Sequence, residues 1–148
     1  MKFEGKTALV TGASSGMGAA TAAQLAAGGA RVLTAQRSKA GFEDIRADLA
    51  DPNAPQIIID TIEQTAGQLD ILVNNAGIML EDTVEESSVE DYLLQMTVNL
   101  HAPFLLTKYA MPLLKRGGGA IVNVGSIEGL GNNPRHPAYG ASKAGLQG

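Results

Sequence analysis

The 148-residue chain has no cysteine and only two histidines, His101 and His136. Without thiols there are no disulfide staples, no thiolate metal sites and no cysteine nucleophiles, and two histidines set far apart do not make a zinc cluster. No metal site is expected. No run of Lys and Arg occurs, and 11 basic against 15 acidic residues give a formal net charge of −4. Attraction to a phosphodiester backbone or to anionic lipid therefore has no support. No apolar run approaches the roughly 18 residues of a membrane span, and charges alternate through Met1 to Lys6. The expectation is a cytoplasmic protein with neither nucleic acid nor membrane as partner. Aromatic residues are scarce too, three Tyr, three Phe and no Trp. A core must then come from Ala, Val, Ile and Leu, which suits a parallel sheet under closely packed helices. Any chemistry must come from oxygen, lysine or a bound cofactor.

What the chain does contain is an alternation of short apolar runs and helix-period segments. Thr7 to Val10 reads as a strand ending in Thr11-Gly12. After a Gly-rich turn, Met17 to Ala27 reads as an Ala-rich helix stopped by Gly28-Gly29. Arg31 to Gln36 and Phe42 to Ala47 are the second and third strands, Asn53 to Ala66 a helix opening on Asn and Pro, and Asp70 to Asn74 the fourth strand. Ser87, with Glu90 three residues on, forms the pattern of a capping box for a long helix that runs to Lys115-Arg116 and stops at a triple glycine. Ala120 to Val124 is the fifth strand, and a last helix opens near Ala138.

This order predicts a single α/β domain over residues 1–148, an open, doubly wound parallel sheet with five strands visible and strands buried on both faces. One joint strains the scheme. Only Ser38 to Gly41 separate Arg37 from Phe42, whereas a parallel crossover normally takes a dozen residues or more. Either an extended segment replaces the helix there or the strand limits differ. The final helix has only about ten residues, with no cap signal and no following strand. Doubly wound nucleotide folds commonly carry six strands at about 30 residues per unit. The expectation is a C-terminally incomplete domain, a fragment lacking later strands.

Three motifs carry chemistry. Thr11-Gly12-Ala13-Ser14-Ser15-Gly16-Met17-Gly18 lies between the first strand and the first helix, where helix N-terminal amides can receive a pyrophosphate and glycines let the backbone approach. A purely structural turn is the alternative. In such folds the tip of the second strand offers an acid to the ribose of NAD or a base to the 2′-phosphate of NADP. Here it reads Gln36-Arg37, so NADP is preferred over NAD, against the plain alternative of a solvated surface Arg. Finally, Ser126 ends the fifth strand, and Tyr139 precedes Lys143 by one helical turn, which puts phenol and ammonium on one face. A phenol with an ordinary pKa of about 10 is protonated at neutral pH, and a neighbouring ammonium stabilises its phenolate.

Taken together, the Thr11 to Gly18 loop, Asn74-Asn75-Ala76-Gly77, Asn99, Ser126, Tyr139 and Lys143 resemble the pattern of the short-chain dehydrogenase/reductase family, and the resemblance covers the whole chain. It implies a Rossmann-like sheet and an oxidoreductase that moves a hydride between NADP or NAD and a carbonyl/secondary alcohol. It further implies Tyr139 as general acid and base, Ser126 as the group that hydrogen-bonds the substrate oxygen, and Lys143 as the group that favours the phenolate and holds the nicotinamide ribose. Asn99 would place a water in a proton relay reaching Lys143. For the cofactor, the resemblance implies Thr11, Gly12, Ser14, Ser15, Gly16, Met17 and Gly18 around the pyrophosphate, Arg37 at the 2′-phosphate, Asp48 and Leu49 at the adenine, and Asn75, Ala76 and Gly77 along the adenosine, with Tyr139 and Lys143 at the ribose. Asn74 is expected to stabilise the sheet. The family also implies a homo-oligomer, dimer or tetramer, built on the long helix and the Tyr139 helix.

Each assignment has a structural alternative. Asp48 could be a turn residue, Asn99 a polar interruption of an amphipathic helix and Ser126 a strand terminator. Pro134 and Pro137 around His136 suggest a surface loop rather than a catalytic histidine, and no acid is evidently placed to orient it as a serine hydrolase would require. Residues Glu128 to Arg135 border the expected substrate region, with Asn132 and Asn133 as polar contacts. The family's later strands and substrate loop are not present in the chain, so the competing reading is a catalytically silent nucleotide-binding module.

Overall fold

Five short runs pair into one parallel sheet: β1 (Thr7–Thr11), β2 (Arg31–Gln36), β3 (Glu43–Arg46), β4 (Ile71–Asn74) and β5 (Ala120–Asn123). The structure, a computed structural model, describes residues 1–131 and 133–148; Asn132 lies outside the described residues. Helices α1 (Gly16–Ala27), α2 (Ala54–Thr65), α3 (Val89–Met96), α4 (Ala102–Gly117) and α5 (Pro137–Gln147) connect or follow the strands. The strand order is β3-β2-β1-β4-β5. The chain thus winds outward from β1 in one direction and then from β4 in the other, the expected doubly wound arrangement. Its crevice lies at the carboxyl ends of β1 and β4, where the winding reverses.

Side-chain alternation in the strands divides the core. Leu9, Leu33 and Leu72 point to one face and pack with Ile58 and Ile62 of α2 and Leu106 and Leu113 of α4. Ala8, Val10, Val32 and Val73 point to the other and pack with Ala22 and Leu25 of α1. The alanines of α1 let that helix lie close to the sheet. β1 is buried along its whole length, but β5 is exposed throughout. This departs from the expectation of strands buried on both faces. β5 stands at the sheet edge, paired with β4 alone, so Val122 stays half exposed.

The short joint closes without a helix. Arg37 to Phe42 return as an irregular segment, so that Glu43 lies beside Leu33 and Arg46 beside Gln36. Asp44 holds this return in place, accepting from Thr34 Oγ1 at 2.7 Å, from Gln36 Nε2 at 2.9 Å and from the Ala40 amide at 3.2 Å.

The long helix differs from expectation in two ways. Its cap is Ser88, whose Oγ accepts from the Asp91 amide at 3.0 Å, and not Ser87 with Glu90. Val89 becomes the first helical residue, which shifts the capping frame by one. Glu86 instead closes the preceding turn by accepting from Thr83 Oγ1 at 3.0 Å. The helix is also interrupted by a π-helical turn, Thr97–His101, before α4 begins. Among the described residues no helix is long and apolar enough to cross a membrane.

Candidate active site

The carboxyl ends of β1, β4 and β5 lead into three segments that meet on one side of the sheet. After β1, Gly12 adopts φ +68°, and a side chain there would begin 2.8 Å from Ala76 Cα. The loop after β1 and the segment after β4 are therefore in backbone contact, which only glycine permits. Thr11 Oγ1 accepts from the amides of Asn75 at 3.1 Å and Ala76 at 3.0 Å. Asn75 Nδ2 in return donates to the Thr11 carbonyl at 2.9 Å and the Gly12 carbonyl at 3.2 Å. Thr11 and Asn75 thus spend their side chains latching the two segments together. Ser14, Ser15, Gly16 and Met17 stay exposed where α1 begins, while Gly18 is buried, set against the Gly12 carbonyl.

Beside this latch runs a groove of about 560 Å³ whose walls include Ser14, Ser15, Arg37, Asp48, Leu49 and Ala76, a volume typical of small-molecule sites. Arg37 is exposed at its rim. Asp48 accepts from the Ala50 amide at 3.0 Å in a local turn, and Leu49 is buried. Gln36 is buried and occupied: its Oε1 accepts from the Ala13 amide at 3.3 Å, and its Nε2 donates to Thr34 and Asp44. Burial opposes charge on Asp44, but hydrogen bonds from Thr34, the Ala40 and Gly41 amides and Gln36 outweigh it and hold its carboxyl below the usual carboxylate range. Gly16, at φ +56°, has nothing within 4 Å of where a side chain would begin. The open backbone at the start of α1 and a groove with an exposed cation at its rim fit a phosphate-bearing dinucleotide.

The other half of the site is set by α5. Lys143 is 4% exposed, donates from Nζ to the Val124 carbonyl at 2.7 Å and lies 5.8 Å from the centroid of the Tyr139 ring. Burial pushes its pKa down from the ordinary lysine value. Asn99 is fully buried in the π turn, a local widening that re-aims a side chain out of the helical register. Its Oδ1 accepts from the Ile78 amide at 2.8 Å, and its Nδ2 donates to the Ile78 carbonyl at 2.8 Å and to Ser142 Oγ at 3.1 Å. Asn99 Oδ1 and Lys143 Nζ flank Gly77, lying 3.2 and 3.6 Å from where its side chain would begin. Ser126 opens a 3-10 turn (Ile127–Gly129), and its Oγ accepts from the Glu128 amide at 3.2 Å, so the hydroxyl keeps its proton to donate. The Ser126 carbonyl accepts from Gln147 Nε2 at 2.9 Å, which ties the end of β5 to the end of α5.

Asn74 lies behind the site, donating to Asn123 Oδ1 at 2.9 Å across the β4–β5 pair. His136 meets the Tyr139 ring edge-on, with 6.4 Å between centroids, and lies 2.9 Å from Asn133 Nδ2 and 3.5 Å from Glu128 Oε1. The sequence shows no acid placed to orient His136; folding of the loop supplies Glu128. The sequence also leaves Ser142 and the carbonyls of Ile78 and Val124 unmarked. For Ser142 a signal exists, since a serine within a helix can turn its hydroxyl back to a carbonyl of the preceding turn. For the two carbonyls there is none.

Residues 6–148 match the family model described as short chain dehydrogenase. The chain belongs to that family. An uncharacterized oxidoreductase of Thermotoga maritima is 44% identical to it, over all of this chain and 64% of the relative. The 3-oxoacyl-[acyl-carrier-protein] reductase FabG of Escherichia coli is 37% identical, over all of this chain and 66% of the relative. The ligand-free structure of Thermoplasma acidophilum aldohexose dehydrogenase superposes with a TM-score of 0.92 at 30% identity, over 97% of this chain and 58% of that one. The chain thus spans less than two thirds of the length of these relatives.

Proposed function

We propose that this short-chain dehydrogenase carries the cofactor half of an NADP-preferring oxidoreductase acting on a carbonyl/secondary-alcohol pair. The observation that carries the reading is the buried Lys143 ammonium, pinned by Val124 and facing the Tyr139 ring, one turn along α5 and next to the groove that fits a dinucleotide. When bound, the nicotinamide supplies the hydride. Tyr139 donates its phenolic proton to the carbonyl oxygen in reduction and takes it back in oxidation, while Ser126 donates a hydrogen bond to the same oxygen. Lys143 stabilises the phenolate charge and holds the nicotinamide ribose. Asn99, whose amide keeps a single acceptor position on Oδ1, anchors the Ile78 segment and offers that position to a water leading to Lys143.

For the cofactor, amides of the Thr11 to Gly18 loop and the Ser14 and Ser15 hydroxyls receive the pyrophosphate, Arg37 the 2′-phosphate, Asp48 and Leu49 the adenine, and Ala76 and Gly77 the adenosine side. The exposed apolar residues Val89, Leu93 and Phe104 on α3 and α4 suit a homo-oligomeric contact. FabG is a reductase by name and the Thermoplasma protein a dehydrogenase by name, which supports the reaction class and leaves the substrate open.

The test is turnover of the gene product and of Tyr139→Phe against a panel of ketones and alcohols with NADPH and NADH. The expected result is a loss of roughly 100-fold or more in kcat, with NADPH binding retained. Undiminished turnover in Tyr139→Phe would overturn the reading. Cofactor binding with no turnover on any substrate would favour a nucleotide-binding module instead.

A further inference from the structure

Between Tyr139 and Lys143, Ser142 is fully buried, and its hydroxyl is committed on both sides. It donates to the Tyr139 carbonyl at 2.7 Å and accepts from Asn99 Nδ2 at 3.1 Å. Its one proton is used on Tyr139, so only lone pairs face Asn99, and the Asn99 group that meets it must be the NH2. The Ile78 peptide imposes the same orientation from the opposite side, its N–H meeting Oδ1 and its carbonyl meeting Nδ2. Both Nδ2 hydrogens are thereby used, and Oδ1 is held beside Gly77, which Lys143 Nζ also borders. With an apolar side chain at 142, one Asn99 N–H would be buried without an acceptor. The link between α5 and the π turn would be lost with it.

We propose that Ser142 is a positioning residue for the Tyr139–Lys143 pair: by bridging the Tyr139 carbonyl and the Asn99 amide, it sets where α5 stands against the π turn. Reacting groups are then held in one geometry before substrate arrives. The inference rests on the reading of Tyr139 as the acid/base group, and its test separates the two.

The gene product is assayed as wild type, Ser142→Ala, Ser142→Cys, Ser142→Thr and Tyr139→Phe, with NADPH affinity and the folded fraction measured for each. Ser142→Cys keeps the volume and weakens the hydrogen bonds, whereas Ser142→Thr keeps the hydroxyl. The expected result is a kcat lowered roughly ten- to hundred-fold in the Ala and Cys variants, with NADPH Kd unchanged within about three-fold and kcat restored by Thr. Wild-type kcat in both Ala and Cys, beside an inactive Tyr139→Phe, overturns this inference and leaves the proposed function standing. So does a loss that follows the folded fraction or the NADPH affinity, or one that Thr does not restore, because either marks simple packing. An active Tyr139→Phe overturns the proposed function and this inference together.

Discussion

The Gln36 carboxamide donates to the Asp44 carboxylate at 2.9 Å while its oxygen accepts from the Ala13 amide at 3.3 Å. One side chain thereby joins the tip of β2, the start of β3 and the Gly-rich loop. The consequence reaches the groove. Gln36 stands where an acid would face a ribose, but its polar atoms are turned inward. The neighbouring Arg37, exposed on the groove wall, is what the tip of β2 offers to a ligand.

On the proposed reading, Arg37→Asp should weaken NADPH about ten-fold or more and leave NADH unchanged or improved, since a charge-assisted bond to the 2′-phosphate would be lost and a like charge put in its place. Titration calorimetry of both cofactors checks this. Equal losses for the two would mean that Arg37 does not meet the 2′-phosphate.

Lys143→Met should remove turnover by roughly 100-fold or more without lowering stability at neutral pH. Burial lowers the Lys143 pKa, so between that lowered value and the ordinary lysine value the unfolded chain binds the extra proton. Wild-type stability accordingly rises with pH across this window. The Met variant lacks the burial cost, and its advantage should shrink as pH climbs through the window. Denaturant melts at a series of alkaline pH values decide it, and a constant difference would contradict the expectation.

Asp70→Asn should cost about 1–3 kcal/mol of stability, nearer the lower figure because Lys6 is partly exposed, and leave NADPH affinity untouched. Asp70 lies at the end of the sheet opposite the groove. It accepts from Lys6 Nζ at 2.8 Å, the Thr7 amide at 2.9 Å and Gln68 Nε2 at 2.6 Å. Burial opposes its charge, but the bonds from Lys6, Thr7 and Gln68 and the Lys6 charge outweigh it and hold its pKa down. The wild-type contribution is thus complete above the ordinary Asp pKa and lost as pH falls through the lowered one. An Asn variant with the same acid melting profile as wild type would refute this.

Local features of the sequence report the elements well. The apolar run Thr7 to Val10, the Gly28-Gly29 stop and the glycines after Arg116 mark where strands and helices begin and end, because propensity and punctuation act over a few residues. Where two local signals compete, the residue pattern alone does not choose between them. Ser87 and Ser88 both have the side chain of a cap, and the bond from the Asp91 amide to Ser88 Oγ is formed only in the folded chain. The π turn at Thr97–His101 leaves no mark, because nothing local distinguishes it from continuous helix; the partner its Asn99 meets, Ile78, is 21 residues away.

The parallel sheet, the Gly-rich loop at its switch point and the Tyr139–Lys143 pair on one helical face are legible in the order of residues, since each depends on spacing within one segment. What each side chain is free to do emerges only on folding. Gln36 is consumed by Asp44, Asn75 by Thr11 and Gly12, and both Asn99 hydrogens by Ile78 and Ser142, while Lys143 is buried and held by Val124. A polar atom's availability depends on which distant partners fold against it, and hydrogen bonds between remote segments have no signature in the order of residues.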